Sequence, residues 1–259
     1  MAAEKSRLDK ALVERGLVVS RERAQAMILA GRVLVNEQKV DKPGAAVAEG
    51  AAIRLLGEDM RYVSRGGLKL EAALAHWKIV LDGRACLDVG ASTGGFTDCM
   101  LQHGAASVLA VDTGYGQIAQ KLRSDARVSL MERTNARLLV PGDAKNGLPA
   151  GITFLAMDVA FISATLVLPP VLACLKFHGA GHAVWTGECV VLIKPQFEAG
   201  RENIGKGGIV RDPAAHQLAI DRVVECVTEI GGTGLEIIDS PIHGMEGNKE
   251  FLLHAVWGR

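Results

Sequence analysis

Apolar positions first recur at helical spacing, then give way to strand-length runs. Ser6–Glu14 predicts a short helix with Ser6 as N-cap, Leu8, Leu12 and Val13 on one face, and Gly16 as the stop. Ser20–Ala30 predicts a second helix, capped by Ser20 and ended by Gly31, with Ala24, Met27 and Ile28 on its apolar side. Short strands are expected at Val33–Val35 and Ile53–Leu56. A turn at Asn36–Gln38 and loops at Pro43-Gly44 and Glu49-Gly50 separate them. These residues suggest a small α+β domain over 5–58, a linker over 59–64 and a larger domain over 65–259.

From residue 85 the rhythm changes. Ala85–Val89, Ser107–Val111, Val128–Glu132, Ile152–Met157, Val190–Ile193, Glu236–Ile238 and Phe251–Trp257 are apolar runs of strand length. Helical stretches such as Phe96–His103 and Pro213–Ile230 fall between them. Strands alternating with helices predict an α/β fold, a parallel sheet covered on both faces. Phe251–Trp257 follows Gly247-Asn248 closely and is expected to return antiparallel beside the preceding strand.

Composition narrows the class. With 49% hydrophobic residues and 22% charged ones, the 259-residue chain can bury a core, and global disorder is excluded. Aromatics at 4% argue against a base-stacking sheet as the main device for binding RNA. The zero net charge is unevenly spread: residues 1–70 carry 13 Lys/Arg against 9 Asp/Glu, and the remainder 16 against 20. A basic first part on an acidic body points to a polyanion partner, or to ordinary surface variation. Cys86, Cys99, Cys174, Cys189 and Cys226 form no close pair, and the histidines have no metal spacing, so no metal is expected. Reduced core cysteines, no apolar signal segment and no run of about 18 apolar residues suggest a cytoplasmic protein without a membrane span. A monomer is expected.

Candidate chemistry begins at Asp88, which closes an apolar run before a turn with Gly90, Gly94 and Gly95. Glycines there let the backbone turn sharply and approach a ligand. Ser92 stands where a dinucleotide fingerprint would have its second glycine, so the turn alone indicates only a nucleotide-like ligand. Asp112 ends the next strand, where a carboxylate can accept both hydroxyl protons of a ribose; the alternative is a strand-end turn residue. Asn135 follows the third strand and could meet an adenine edge, or be a plain loop residue. The run Asp88-Val89-Gly90-Ala91-Ser92-Thr93-Gly94-Gly95-Phe96-Thr97 resembles the cofactor motif of class I (Rossmann-like) methyltransferases, and more narrowly the FtsJ-type ribose methyltransferases. That resemblance implies S-adenosylmethionine as cofactor, with Asp88, Gly90, Ser92, Gly94, Gly95, Phe96 and Thr97 around its methionine side and Asp112 at its ribose.

A ribose 2′-hydroxyl is a poor nucleophile, so methylating it requires in-line positioning and a group that takes or stabilises its proton. Lys69 lies in Ser64-Arg65-Gly66-Gly67-Leu68-Lys69. Asp158 and Lys194 each end a strand, and Glu250 begins the last one, with Glu246 close enough in sequence to take its place. Strand carboxyl ends collect ligand chemistry in open α/β sheets. Taken singly, a strand-end lysine is usually surface and a strand-end aspartate usually a turn residue. Together the four resemble the Lys-Asp-Lys-Glu tetrad of FtsJ-like 2′-O-methyltransferases. In that family Lys194 would activate the hydroxyl, Asp158 and Lys69 would position it, and Glu250 would complete the network.

The first unit is similar to the RNA-binding fold named after ribosomal protein S-four, over about residues 6–56. That likeness implies that Arg7, Arg21, Arg23 and Arg32, joined by Arg65 in the Ser-Arg-Gly-Gly segment, meet RNA phosphates, which give affinity more than sequence choice. A solvated charged helix face is the plainer alternative. The two units together resemble the TlyA family, which is labelled hemolysin and contains rRNA cytidine 2′-O-methyltransferases. The resemblance implies ribosomal RNA or ribosomal subunits as partner. Tyr62 stands where some members carry a linker tryptophan. Two other readings stay open: a membrane-active cytolysin, and a non-catalytic RNA-binding ribosome-assembly factor.

Overall fold

The computed structural model describes residues 5–18, 20–56, 61–177, 185–244 and 246–258. Two units divide the chain, Met1–Arg61 and Tyr62–Arg259. The linker expected over 59–64 falls partly outside the described residues.

The first unit runs β1 (Lys5–Arg7), α1 (Leu8–Glu14), α2 (Arg21–Leu29), β2 (Val33–Val35), β3 (Gln38–Lys39), β4 (Ala46–Ala48) and β5 (Ile53–Leu55). α2 is capped as the sequence predicts, the Ser20 side chain accepting the Arg23 N–H at 3.2 Å. α1 starts later than predicted. Ser6 is not an N-cap but the middle of β1, which pairs antiparallel with β4. That long-range pairing claims the backbone that a local helix would have used. Leu8, Leu12, Ala24, Met27, Ile28 and Val33 form the core that holds both helices to β2.

The second unit begins with α3 (Gly66–Trp77) and then alternates: β6 (Ala85–Val89), α4 (Gly95–Gln102), β7 (Ser107–Val111), α5 (Gln120–Arg123), β8 (Val128–Met131), β9 (Ile152–Met157), α6 (Ala164–Phe177), β10 (Gly187–Ile193), α7 (Pro195–Glu198), α8 (Pro213–Glu229), β11 (Thr233–Asp239) and β12 (Phe251–Trp257). The sheet order is β11-β12-β10-β9-β6-β7-β8. β12 alone is antiparallel to its neighbours, as the close approach of Gly247-Asn248 to the last run predicts. The order reverses between β6 and β9, so the crevice at their carboxyl ends is the place for a ligand. Buried faces on both sides explain the unbroken apolar runs of β6, β9 and β10. Cys86, Cys99, Cys174, Cys189 and Cys226 are buried thiols. No described helix is long and apolar enough to cross a membrane.

α3 is fixed to the sheet at its far end. Trp77 stacks on His254 of β12 at 5.1 Å, and its indole N–H donates to Glu236 of β11 at 3.3 Å. Glu188 of β10 receives both His254, at 3.0 Å, and Arg84. The His254 hydrogen bond and then the Arg84 charge hold its carboxyl down to about 2, against burial.

Candidate active site

The parallel strands β8, β7, β6, β9 and β10 all end at one edge, and β12 starts there. Neighbouring strands lie about 4.8 Å apart, so the residues just beyond their ends form a row. Asp112 follows β7, Gly90 follows β6, Asp158 follows β9, Lys194 follows β10, and Glu250 precedes β12. Register sets the second half of the row: Ile193 pairs with Phe251, which puts Lys194 beside Glu250, and Met157 pairs with Val191, which puts Asp158 two residues short of Lys194.

A cleft of about 400 Å³ opens over the first half of the row. Val89, Val111, Ala136, Ile162 and Val167 supply apolar wall, and Gly90, Ser92, Asp112, Asn135 and Asp158 supply polar groups. Asp112 is fixed from both sides: Oδ2 accepts the Ser92 N–H at 2.8 Å, and Oδ1 the Gly114 N–H at 2.7 Å. Each oxygen keeps a lone pair for a further donor. Asn135 Oδ1 accepts the Arg137 N–H at 3.1 Å, which leaves its amide group for a ligand edge. Ser92 has φ +48°, a left-handed conformation that explains why glycine is the usual occupant of that turn. Gly90, at φ +86°, packs so closely on the end of β9 that a Cβ would collide with the Asp158 carbonyl. The charged residues lining this cleft are carboxylates, with no lysine or arginine among them. Such a lining fits a nucleoside that carries positive charge and is ill-suited to a pyrophosphate.

Five of the residues expected around the cofactor, Asp88, Gly94, Gly95, Phe96 and Thr97, are not in the lining of the cleft. Gly94 and Gly95 are buried where α4 begins. A Cβ on Gly94 would strike Leu122, and one on Gly95 would lie 3.0 Å from the Gly67 N of α3. Phe96 belongs to the core on that side of the sheet. Thr97 is buried and donates from Oγ1 to Asp88 Oδ2 at 2.6 Å. They pack α3 and α4 behind the turn. Asp88 is also wholly buried behind the cleft, and its Oδ1 has no hydrogen-bond partner. Burial, helped by the charges of Asp158 and Asp112 and opposed by Thr97, pushes its carboxyl up to about 7.

The second half of the row holds two ion pairs. Lys194 Nζ lies 2.5 Å from Asp158 Oδ1. Lys69, on the first turns of α3, lies 2.5 Å from Glu250 Oε2, with side-chain exposures of 10% and 2%. Between the two candidate glutamates, Glu250 meets Lys69 and Glu246 is exposed. Asp158 belongs to both halves of the row, since it also walls the cleft.

Two supporting residues carried no sequence signal. Glu198 is buried at the end of α7 and reaches the loop after Asp158: Oε1 accepts the Ala164 N–H at 2.7 Å, and Oε2 the Ser163 hydroxyl at 2.5 Å. One carboxylate thereby clasps the loop after Lys194 to the loop after Asp158, and burial raises its pKa. Asp98 of α4 receives the Val63 N–H at 2.8 Å and the Lys121 ammonium at 2.9 Å, fastening the chain just ahead of α3. Tyr62, in the same segment, is buried beneath Gly67, where a Cβ would collide with its ring.

The arginines of the first unit are placed unequally. Arg7 and Arg21 both bond the buried Asp9 at 3.0 Å, and these bonds, Arg7 foremost, hold the Asp9 carboxyl below the ordinary range. Their guanidiniums stay about half exposed. Arg23 is half-buried on α2, and Arg32 is exposed just before β2. Arg65, in the second unit, is exposed at the N-cap position of α3.

Comparison with known proteins agrees with this geometry. The profile of the FtsJ-like methyltransferase family matches residues 62–257, and that of the S4 domain matches residues 6–53. YqxC of Bacillus subtilis, provisionally named an rRNA methyltransferase, is 48% identical over 99% of this chain and 88% of its own. The 16S/23S rRNA (cytidine-2′-O)-methyltransferase TlyA of Mycobacterium tuberculosis is 40% identical over 97% of this chain and 90% of its own. A solved structure from Streptococcus thermophilus, provisionally named a hemolysin, is 44% identical and covers 98% of this chain and 89% of its own, with a TM-score of 0.70.

Proposed function

Since this chain belongs to the FtsJ-like methyltransferase family, we propose that it transfers a methyl group from S-adenosylmethionine to a ribose 2′-hydroxyl of ribosomal RNA, with cytidine as the target nucleoside. The observation that carries the reading is the double role of Asp158, which walls the nucleoside-sized cleft and pairs with Lys194. A methyl donor held in the cleft would thereby meet a proton-handling pair.

S-adenosylmethionine, when bound, supplies an electrophilic methyl group on a positively charged sulfur. Asp112 would take the ribose hydroxyls on its two free lone pairs, and Asn135 the adenine edge. The carboxylates of the cleft favour the positive charge. Lys194, held by Asp158, would handle the proton that leaves the target hydroxyl as its oxygen takes the methyl group. Lys69 and Glu250 form the neighbouring wall and orient the ribose. The S4 domain would bring the RNA by its phosphates, through Arg21, Arg32 and their neighbours.

The test uses ribosomal subunits from cells lacking this gene and radiolabelled S-adenosylmethionine. The intact protein should label one ribose, located by nuclease mapping. Lys194→Ala should bind the cofactor with unchanged affinity and transfer no methyl. Normal transfer by that variant would overturn the assignment.

A further inference from the structure

The second unit carries cations that its own structure leaves without acidic partners. Arg84, Arg123 and Arg127 each end on a carboxylate. In the loop 199–212, between α7 and α8, Arg201, Lys206 and Arg211 are exposed and make no side-chain hydrogen bond or ion pair among the described residues. The acids near them are turned to other work. Asp212 caps α8 by accepting the Ala214 N–H at 2.9 Å. Glu202 folds back over Gly200, and Glu246 lies beside Gly208.

The loop is built, not slack. Gly205 donates its N–H to Ile209 O at 3.0 Å, and Gly208 donates to Gly205 O at 3.1 Å. Arg211 returns across Gly205, where a Cβ would lie 3.3 Å from its guanidinium, so it neighbours Lys206. The anchor is Asn248, wholly buried: it accepts the Val210 N–H and donates to Gly208 O, both at 2.9 Å. Asn248 stands two residues before Glu250, and the loop itself leaves α7, which follows Lys194 directly. A hydrogen-bonded stretch with three exposed cations that form no ion pair among the described residues is thus fastened at two points to the edge that holds both ion pairs. The surrounding unit is acidic, so these charges are not part of a general basic surface.

We propose that Arg201, Lys206 and Arg211 form a phosphate clamp that grips the RNA backbone beside the target ribose. This rests on the methyltransferase reading above and adds a second RNA contact, on the catalytic unit itself. Fixed cations at that edge hold the strand next to the ribose to be modified, where a small displacement would spoil in-line attack. Pre-formed geometry lowers the ordering cost of the contact.

The experiment compares the full chain with Arg201→Ala/Lys206→Ala/Arg211→Ala, and with Lys78→Ala as an exposed-charge control at the far end of α3. Filter binding of undermethylated ribosomal subunits and methyl-transfer kinetics are each measured across a series of KCl concentrations. Loss of three phosphate contacts should lower the slope of log affinity against log salt by about 2. The KM for subunits should rise at least tenfold near 0.1 M salt, while kcat and cofactor affinity stay as in the parent and Lys78→Ala matches the parent throughout. An unchanged slope and KM in the triple variant would overturn the clamp. If the parent transferred no methyl, the methyltransferase reading would fall, and the binding slopes would still decide whether the loop holds RNA.

Discussion

Lys69→Met tests whether the Lys69–Glu250 pair is a catalytic device or a structural rivet. The substitution keeps most of the side-chain stem and removes the ammonium. Glu250, with its carboxylate 2% exposed, is then left without its cation 2.5 Å away. Breaking a buried pair from one side costs about 3–5 kcal/mol, because a desolvated charge remains. For a unit of this size each kcal/mol moves the melting temperature by roughly 2–4 °C, so the variant should melt roughly 6–20 °C lower. Replacing both partners removes the stranded charge. Lys69→Met/Glu250→Met should regain nearly all of that loss, since apolar substitutes of similar volume are often neutral or better. Neither variant should transfer methyl groups. The assay is thermal unfolding followed by circular dichroism, beside methyl transfer to ribosomal subunits. A single variant that melts with the parent would show that Glu250 is not desolvated. A double variant no more stable than the single would place the loss in shape instead of charge. Methyl transfer surviving in the double variant would make the pair structural alone.

Two further outcomes follow from buried carboxylates. The folded pKa of Asp88, raised to about 7, stands above its unfolded value of about 3.9, so its contribution to stability is full below about pH 4 and is lost as pH rises through about 7. The loss is on the order of 4 kcal/mol, and Asp88→Asn should flatten urea-unfolding stability over that window; an unaltered slope would remove Asp88 as its source. Glu198→Ala should cost about 1–2 kcal/mol as a lost cap and, by releasing the loops after Asp158 and Lys194, lower kcat at least tenfold with cofactor affinity intact. Glu198→Gln, whose amide oxygen can still accept the Ala164 N–H, should restore most of the stability. Parent-like kcat in Glu198→Ala would sink the positioning role.

Much of the second unit was legible because its sheet is buried on both faces. Ala85–Val89, Ser107–Val111, Ile152–Met157 and Phe251–Trp257 stand out as apolar runs, and their bounds match the strands. Two helices are hidden by their own breakers. α3 opens on Gly66-Gly67, where the Tyr62 ring leaves no room for a Cβ on Gly67, and α6 contains Pro169 and Pro170. Tertiary packing outweighs local propensity at both. Asp158, Lys194 and Glu250 could be located because each is tied to a strand that pattern alone finds, whereas Lys69, on α3, was joined to them by resemblance. The glycine turn was harder to read. Sequence cannot separate a glycine that touches ligand from one that gives neighbouring elements room, and Gly94 and Gly95 stand where a Cβ would meet Leu122 and the start of α3. Ser6 and Glu198 eluded reading for one reason: their partners, Val47 across a strand pair and Ala164 at a helix start, are distant in sequence.

The position of β12 sets when the enzyme can exist. It follows the other strands among the described residues, yet it lies between β10 and β11, joined to β10 from Gly187 to Ile193. Until it inserts, β11 has no place in the sheet, Glu188 lacks His254, and Lys69 waits for a partner 181 positions away. The edge that holds both ion pairs is therefore complete only where this long-range pairing is made. A chain still emerging from the ribosome can hold the cofactor turn and the S4 domain and still lack the finished edge.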